Sequence, residues 1–257
     1  MKLILTLSLS LFTVSVMAQK TVVLDHYYNN EVNPKTNKPF HYLWEDKEIS
    51  GFSQLGDLFI EQGATLKTLA NKPDKKNLRD ADIYIIADPD TKDESTNPNY
   101  MDKDAAKAIA AWVKKGGTLL LLTNDYQNAE LEHTNILAKK FGITFTKEIL
   151  HTELSESGKP RNFNSCASTN LPPQPLFSGV SKIFIKGVSA ITYNPPVTPL
   201  LVENGKTLMA QVNYGKGLVI AIGDPWLYNE YIDNKILPAE FENLKAAKNL
   251  VKLVMEQ

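Results

Sequence analysis

Four short runs of the chain are apolar at almost every position: Thr21-Val22-Val23-Leu24-Asp25, Ile83-Tyr84-Ile85-Ile86-Ala87, Thr118-Leu119-Leu120-Leu121-Leu122-Thr123 and Leu218-Val219-Ile220-Ala221-Ile222-Gly223. Continuous apolarity over so few residues predicts strands buried on both faces, as in a parallel sheet. Between them the period becomes helical. From Asp102 to Lys115, Ala105, Ala108, Ile109, Trp112 and Val113 share one face, Lys114-Lys115 suit the negative end of the helix dipole, and Gly116 supplies a left-handed stop. Further helices are expected over about 52–62, over 130–141 before Gly142, and at the C-terminus, where Phe241, Leu244, Ala247, Val251 and Val254 recur at helical spacing. Strands alternating with helices imply βαβ crossovers, hence an α/β protein with a mostly parallel sheet and helices on both faces.

The stretch from about 147 to 212 breaks this rhythm. Leu171-Pro172-Pro173-Gln174-Pro175 is a stiff connection, and Ile183-Phe184-Ile185, Leu200-Leu201-Val202 and Leu208-Met209-Ala210 lie between Gly and Pro turns. These runs predict a few antiparallel strands on the sheet edge, with Tyr214-Gly215-Lys216-Gly217 as a hairpin turn into the last buried strand.

Ahead of the first strand, Lys2, an apolar run from Leu3 to Val16, and Val16-Met17-Ala18 have the form of a secretory signal cleaved after Ala18. The run is shorter than the ~20 residues of a membrane span. The expectation is therefore a signal peptide at 1–18 and one α/β domain at 19–257, periplasmic or secreted, with no membrane anchor after cleavage. Lysine and arginine number 28 against 29 aspartates and glutamates, without any block of like charge, which argues against nucleic acid as a partner. Cys166 is the single cysteine, so no intramolecular disulfide can form and stability must come from packing.

Ligands of open parallel sheets bind outside the carboxyl ends of the strands, and there this chain concentrates its polar clusters. Asp88, Asp90, Glu130, Glu132, His133 and Asp224 are candidate acids and bases. Aromatic rings beside amides and carboxylates are also the equipment of sugar recognition. On that ground His26, Tyr27, Asn29, His41, Trp44, Asn124, Asp125, Trp226, Tyr228, Asn229 and Glu230 are candidate ligand-binding residues. Two plainer roles compete: strand-ending aspartates cap the next helix, and aromatics under long loops close the core.

Other chemistries find less support. Glu130-Leu131-Glu132-His133 lacks the two-histidine spacing of a zinc hydrolase, and no metal or cofactor is expected beyond Ca²⁺ at Asp88 and Asp90, where oxygen ligands are densest. No serine or cysteine follows a central strand in a nucleophile elbow. Cys166, in Asn164-Ser165-Cys166-Ala167-Ser168, has no basic neighbour to activate its thiol, and Gly116-Gly117 precedes a strand where a phosphate loop would follow one.

Asp25-His26-Tyr27-Tyr28-Asn29-Asn30-Glu31, His41-Tyr42-Leu43-Trp44, Ser50-Gly51-Phe52-Ser53, Asp88-Pro89-Asp90-Thr91 and Gly223-Asp224-Pro225-Trp226-Leu227-Tyr228-Asn229-Glu230-Tyr231 together resemble the C-terminal accessory domain appended to secreted unsaturated rhamnogalacturonyl hydrolases. The resemblance implies a flavodoxin-like, class I glutamine amidotransferase-like fold lacking the cysteine nucleophile. It also implies a place in pectin breakdown. The hydrolases' own catalytic residues lie on a separate helical toroid and are not carried over. Three functions follow as expectations: a carbohydrate-binding or accessory domain for rhamnogalacturonan-type oligosaccharides, a hydrolase using paired carboxylates, or a non-catalytic domain docking on a partner glycosidase.

Overall fold

The computed structural model describes residues 19–152 and 162–257. The signal segment expected at 1–18 lies outside the described residues. All four apolar runs form central strands: β1 (Thr21–Asp25), and, after α1 (Ser53–Glu61) and an edge strand β2 (Thr65–Leu69), β3 (Ile83–Ala87). Then follow α2 (Lys103–Lys114), β4 (Thr118–Leu122), α3 (Leu131–Ala138) and β5 (Ile143–Leu150). The last part of the chain holds β6 (Val188–Tyr193), β7 (Thr198–Glu203), β8 (Lys206–Tyr214), β9 (Gly217–Ile222), the short α4 (Asn229–Ile232) and α5 (Asn243–Met255).

These strands make one nine-stranded sheet in the order β2-β1-β3-β4-β9-β8-β6-β5, with β7 on β8. From β2 to β9 every pairing is parallel; from β9 onward every pairing is antiparallel. The α/β class with edge antiparallel strands is thus the observed one. Because β1 leads outward to β2 while β3 starts on its other side, the winding reverses between β1 and β3, the crevice where open sheets bind ligands.

Strand periodicity sorts the core. Ile83, Ile85, Leu120, Leu122, Ile220 and Ile222 pack with α1 and α5 on one face. Tyr84, Ile86, Leu119, Leu121, Val219 and Ala221 pack with α2 and α3 on the other. Asp102 caps α2 by accepting from the backbone N–H groups of Asp104 and Ala105, and Gly142, at φ 78°, lets the chain leave the turn after α3 in the left-handed region.

Three strands escape the hydrophobic pattern: β2 is half exposed, β5 mixes Thr, Lys and Glu into its run, and β6 carries the buried Ser189. Ile183–Phe184, expected on the sheet edge, instead pairs with Ala167–Ser168 in a separate ladder. The reason is Asn243, whose side-chain amide donates to Phe184 O and accepts from Phe184 N, both at 2.8 Å. One side chain thereby replaces the neighbouring strand. Phe241 lies before α5, in a satellite cluster with Cys166, Phe184, Tyr231 and Leu237.

Candidate functional site

Three of the polar strand ends meet in a cleft of about 300 Å³ outside the carboxyl edge of the sheet. Asp88 follows β3, Asn124 follows β4 and Asp224 follows β9; Tyr42 and Tyr228 close the cleft from the loops after β1 and β9. Asp88 Oδ2 accepts from the Tyr42 hydroxyl at 2.6 Å and from Asn124 Nδ2 at 3.4 Å, while Asn29 Nδ2 holds the Asp88 carbonyl at 3.0 Å. Since Tyr42 gives its one proton to Asp88, the 2.8 Å contact between the two phenols is a donation from Tyr228 to Tyr42. Asp88 Oδ1 has no hydrogen-bond partner among the described residues. It remains for its own proton or for a ligand donor.

The opposite wall is built by β6 and the segment before it. Lys186 N donates to Asp224 Oδ2 at 3.3 Å, and Ser189 Oγ donates to the Asn124 carbonyl at 2.6 Å. Asp125 bends the loop after β4, accepting from Gln127 N at 2.8 Å and Asn128 Nδ2 at 2.7 Å.

Burial dominates the electrostatics. It pushes the Asp88 and Asp224 carboxyls well above the usual carboxylate range, against the opposing hydrogen bonds from Tyr42, Asn124 and Lys186. Glu94, also lining the cleft, is raised by burial against hydrogen bonds from Thr91. Just behind, burial lifts Asp25 to about 6 and Asp90 to about 8. Carboxyl groups raised by burial and gathered in one cleft make it a candidate functional site.

Backbone strain gathers there too. His41, Tyr42 and Asp88 have φ of 62°, 49° and 45°, and all three line the cleft. Non-glycine residues held in the left-handed region cost on the order of 1–3 kcal/mol each and persist where the surroundings over-determine them. Here the anchors are the Tyr42–Asp88 bond and the pairing of Tyr42 N with Ser50 O at 2.9 Å.

No protein-family model matches the chain, and no curated protein matches it. Among solved structures the chain is similar to the mmIFT52 N-terminal domain, at 12% identity and a TM-score of 0.67 over 93% of this chain and 98% of that one. It is similar also to the cytoplasmic protein STM3548 from Salmonella typhimurium, at 15% identity and 0.58 over 91% and 98%. A third similar structure is Gan42B, a GH42 β-galactosidase, at 14% identity and 0.51, where 93% of this chain matches 30% of that one. Likeness at such identities establishes the fold and nothing about the chemistry.

Of the residues singled out in the sequence, His41, Asp88, Asn124, Asp125, Asp224, Tyr228 and Glu230 line the cleft. The others do not, each for a local reason. Trp44 and Trp226 are core residues, at 8% and 0% exposure, packed with the α1 face of the sheet. Asn229 ties α1 to the chain after β9, accepting from Gln54 N and donating to Asp46 O and Ser53 Oγ. Asn29 supports Asp88 from behind, and His26 Nδ1 is turned back onto the Asn29 carbonyl. Tyr27 packs against the α2 face.

The acid–base candidates divide likewise. Asp90 is buried against Asn30 N at 2.7 Å, and Glu130 is the N-cap of α3, accepting from Glu132 N and His133 N. Glu132 is exposed on the outer surface, and His133 stacks on Tyr100 at 4.5 Å. Among the described residues no group of three or more His, Cys, Asp or Glu side chains could hold a metal ion, so Ca²⁺ at Asp88 and Asp90 gains no support from the geometry. Cys166 is fully buried outside the cleft, its thiol donating to the His151 carbonyl at 3.1 Å.

Tyr42, Glu94, Lys186 and Tyr231 line the cleft without having been singled out as candidate site residues. Tyr42 and Tyr231 stand inside the distinctive motifs, where the larger indoles drew attention. Glu94 shares the loop of Asp88, six positions on. Lys186 carries no signal of its own, because the strand before it pairs outside the main sheet.

Proposed function

We propose that the cleft binds a neutral, hydroxyl-rich unit of a rhamnogalacturonan-type oligosaccharide and that the protein is an extracytoplasmic accessory domain of pectin breakdown. The observation that carries this is the pairing of two carboxyl groups, Asp88 and Asp224, both biased by burial toward the neutral form, with the Tyr42–Tyr228 hydroxyl chain. A neutral carboxylic acid donates one hydrogen bond and accepts another, which matches a sugar hydroxyl. Among the described residues five carboxyl side chains line the cleft, Asp88, Glu94, Asp125, Asp224 and Glu230, so a neutral sugar fits the floor better than a uronate ring.

Glycoside hydrolysis needs one carboxyl protonated and its partner ionised at the same pH. Asp88 and Asp224 are both pushed upward, so these two do not by themselves form the split acid–base pair that hydrolysis needs, which supports reading them as a binding pair. Docking beside a partner glycosidase is compatible with this function, and it draws support from the occurrence of the same fold within a β-galactosidase chain.

The test is calorimetric titration of the mature protein with defined rhamnogalacturonan oligosaccharides, with new reducing ends followed in the same samples. Heat without product supports an accessory binder. Product formation selects the hydrolase, and neither heat nor product removes the carbohydrate from the proposal.

A further inference from the structure

A second concavity, of about 810 Å³, runs along α2 at the opposite, amino-terminal edge of the parallel strands. It shares no lining residue with the cleft. Its floor is apolar, made by Ala81, Ala108, Ala111 and Trp112. Trp112 is fixed on three sides. Its Nε1 donates to the Ala81 carbonyl at 3.0 Å, and its ring meets Tyr84 edge-on at 6.2 Å. It also lies so close to Gly117 that a Cβ there would stand 2.3 Å from the indole. The aromatic part of the floor is therefore preorganised, which lowers the entropy cost of stacking a ligand on it.

The margins of this groove carry Lys75 and Arg79 on the loop before β3, Lys107 on α2, and Lys115 at the C-cap of that helix. The loop is stiff: Asp74 N donates to Asn77 Oδ1 and Asn77 N to Asp74 Oδ1, both at 2.8 Å, and Leu78 anchors it in the core. Against four cations stand two acids, Asp82 and Asp104, and Asp82 already accepts from Thr21 N at 2.7 Å. Arg79 also forms an exposed pair with its neighbour Asp80, a contact too well solvated to neutralise it. In a chain whose net charge is −1, this is a local excess of positive charge around an apolar floor.

We propose that this groove is a binding site for an anionic amphiphile, a ligand with a flat apolar body that stacks against Trp112 and an acid group that pairs with the lysines. Charge complementarity selects an acid, and the alanine-and-indole floor selects an apolar body over a sugar. The site is independent of the cleft and of the function proposed for it.

The experiment titrates the folded mature protein with 8-anilinonaphthalene-1-sulfonate, using uncharged N-phenyl-1-naphthylamine for comparison. One saturable site for the sulfonate is expected, weakened by added salt. The double variant K107E/K115E should lower affinity about tenfold, the scale of removing and reversing two solvated charge contacts. A second double variant on the other margin, Lys75→Ala with Arg79→Ala, should weaken it in the same direction, and Trp112→Phe should reduce it without abolishing it. Absence of saturable binding, equal affinity for the uncharged probe, or unchanged affinity in both double variants while the proteins stay folded would overturn the proposal.

Discussion

Tyr42 and Asp88, 46 positions apart, meet at 2.6 Å with the phenol donating to the carboxyl, and each sits at a positive φ. The bond joins the loop after β1 to the end of β3, across the point where the sheet reverses its winding. Tyr42→Phe keeps the ring in the core but strips Asp88 Oδ2 of its shorter hydrogen bond. Unfolding free energy from urea titration should fall by about 1–3 kcal/mol, the scale of leaving a buried polar group underpaired. Tyr228→Phe removes only the outer donor of the chain and should cost less, about 1 kcal/mol. Equal losses in the two variants would mean that the hydroxyl chain does not run from Tyr228 through Tyr42 to Asp88.

Asp90 and Asp25 make stability depend on pH in an unusual direction. Burial raises them to about 8 and about 6, so the folded protein holds these protons more tightly than the unfolded chain. Their contribution is complete below the ordinary carboxylate range, near pH 4, and is lost as pH rises through the folded values. Stability should decline between about pH 4 and 8. Asp90→Asn keeps an acceptor for Asn30 N but has no proton to lose. It should therefore gain at least about 1 kcal/mol over the wild type at pH 8 and show a flatter profile in denaturant melts. A variant slope as steep as the wild type's would assign the pH dependence elsewhere.

The sheet and the meeting of Asp88, Asn124 and Asp224 were legible in the sequence for one reason. Apolar runs such as Ile83-Tyr84-Ile85-Ile86-Ala87 are buried on both faces, and parallel strands put whatever follows them on one edge. Where burial is one-sided or shared with side-chain pairing, the pattern fails. Thr65-Leu66-Lys67-Thr68-Leu69 is an edge strand with only Leu69 buried, and Phe184 finds its backbone partner in the amide of Asn243. Aromatic size misled in the site itself. Trp44 and Trp226 are large enough to be needed in the core, whereas the smaller Tyr42 and Tyr228 can bury their rings and still present a hydroxyl. Glu130 is a capping residue whose carboxylate is spent on the first turn of α3, a role that sequence alone cannot separate from catalysis.

Gly223 positions the cleft wall by what it lacks. A Cβ at this site would lie 2.0 Å from the Ser189 carbonyl oxygen. The backbone cannot retreat freely, because Ser189 N donates to Gly223 O at 2.9 Å and Gly223 N to Leu208 O at 3.1 Å. Gly223→Ala should cost about 1–3 kcal/mol in stability, the range for overpacking a tight site. The strand must shift to admit the methyl group, so Asp224 and Ser189 move with it and ligand affinity should fall in the same variant. A stable variant with unchanged affinity would show that β6 is free to give way.

Asp224→Asn separates the functions open to the cleft. Asp224 is buried, accepts from Lys186 N at 3.3 Å, and is driven toward its neutral form chiefly by desolvation. An asparagine keeps the shape and the acceptor, and its NH₂ group stands in for the O–H of a protonated acid. In a binding site that already uses the neutral acid, affinity should therefore change by no more than about 1–3 kcal/mol, the scale of a hydrogen bond to a formerly ionisable group. The variant should also lose whatever part of the pH dependence of binding comes from this carboxyl. In a hydrolase the same change removes acid–base assistance, and turnover should fall roughly 10²-fold or more with little effect on melting temperature. Titration of the variant with rhamnogalacturonan oligosaccharides at several pH values, with reducing ends measured in parallel, tells the two apart. If neither affinity nor turnover changes while the melting temperature drops, Asp224 serves the fold by fixing Lys186, and the cleft's recognition falls to Asp88 and the two phenols.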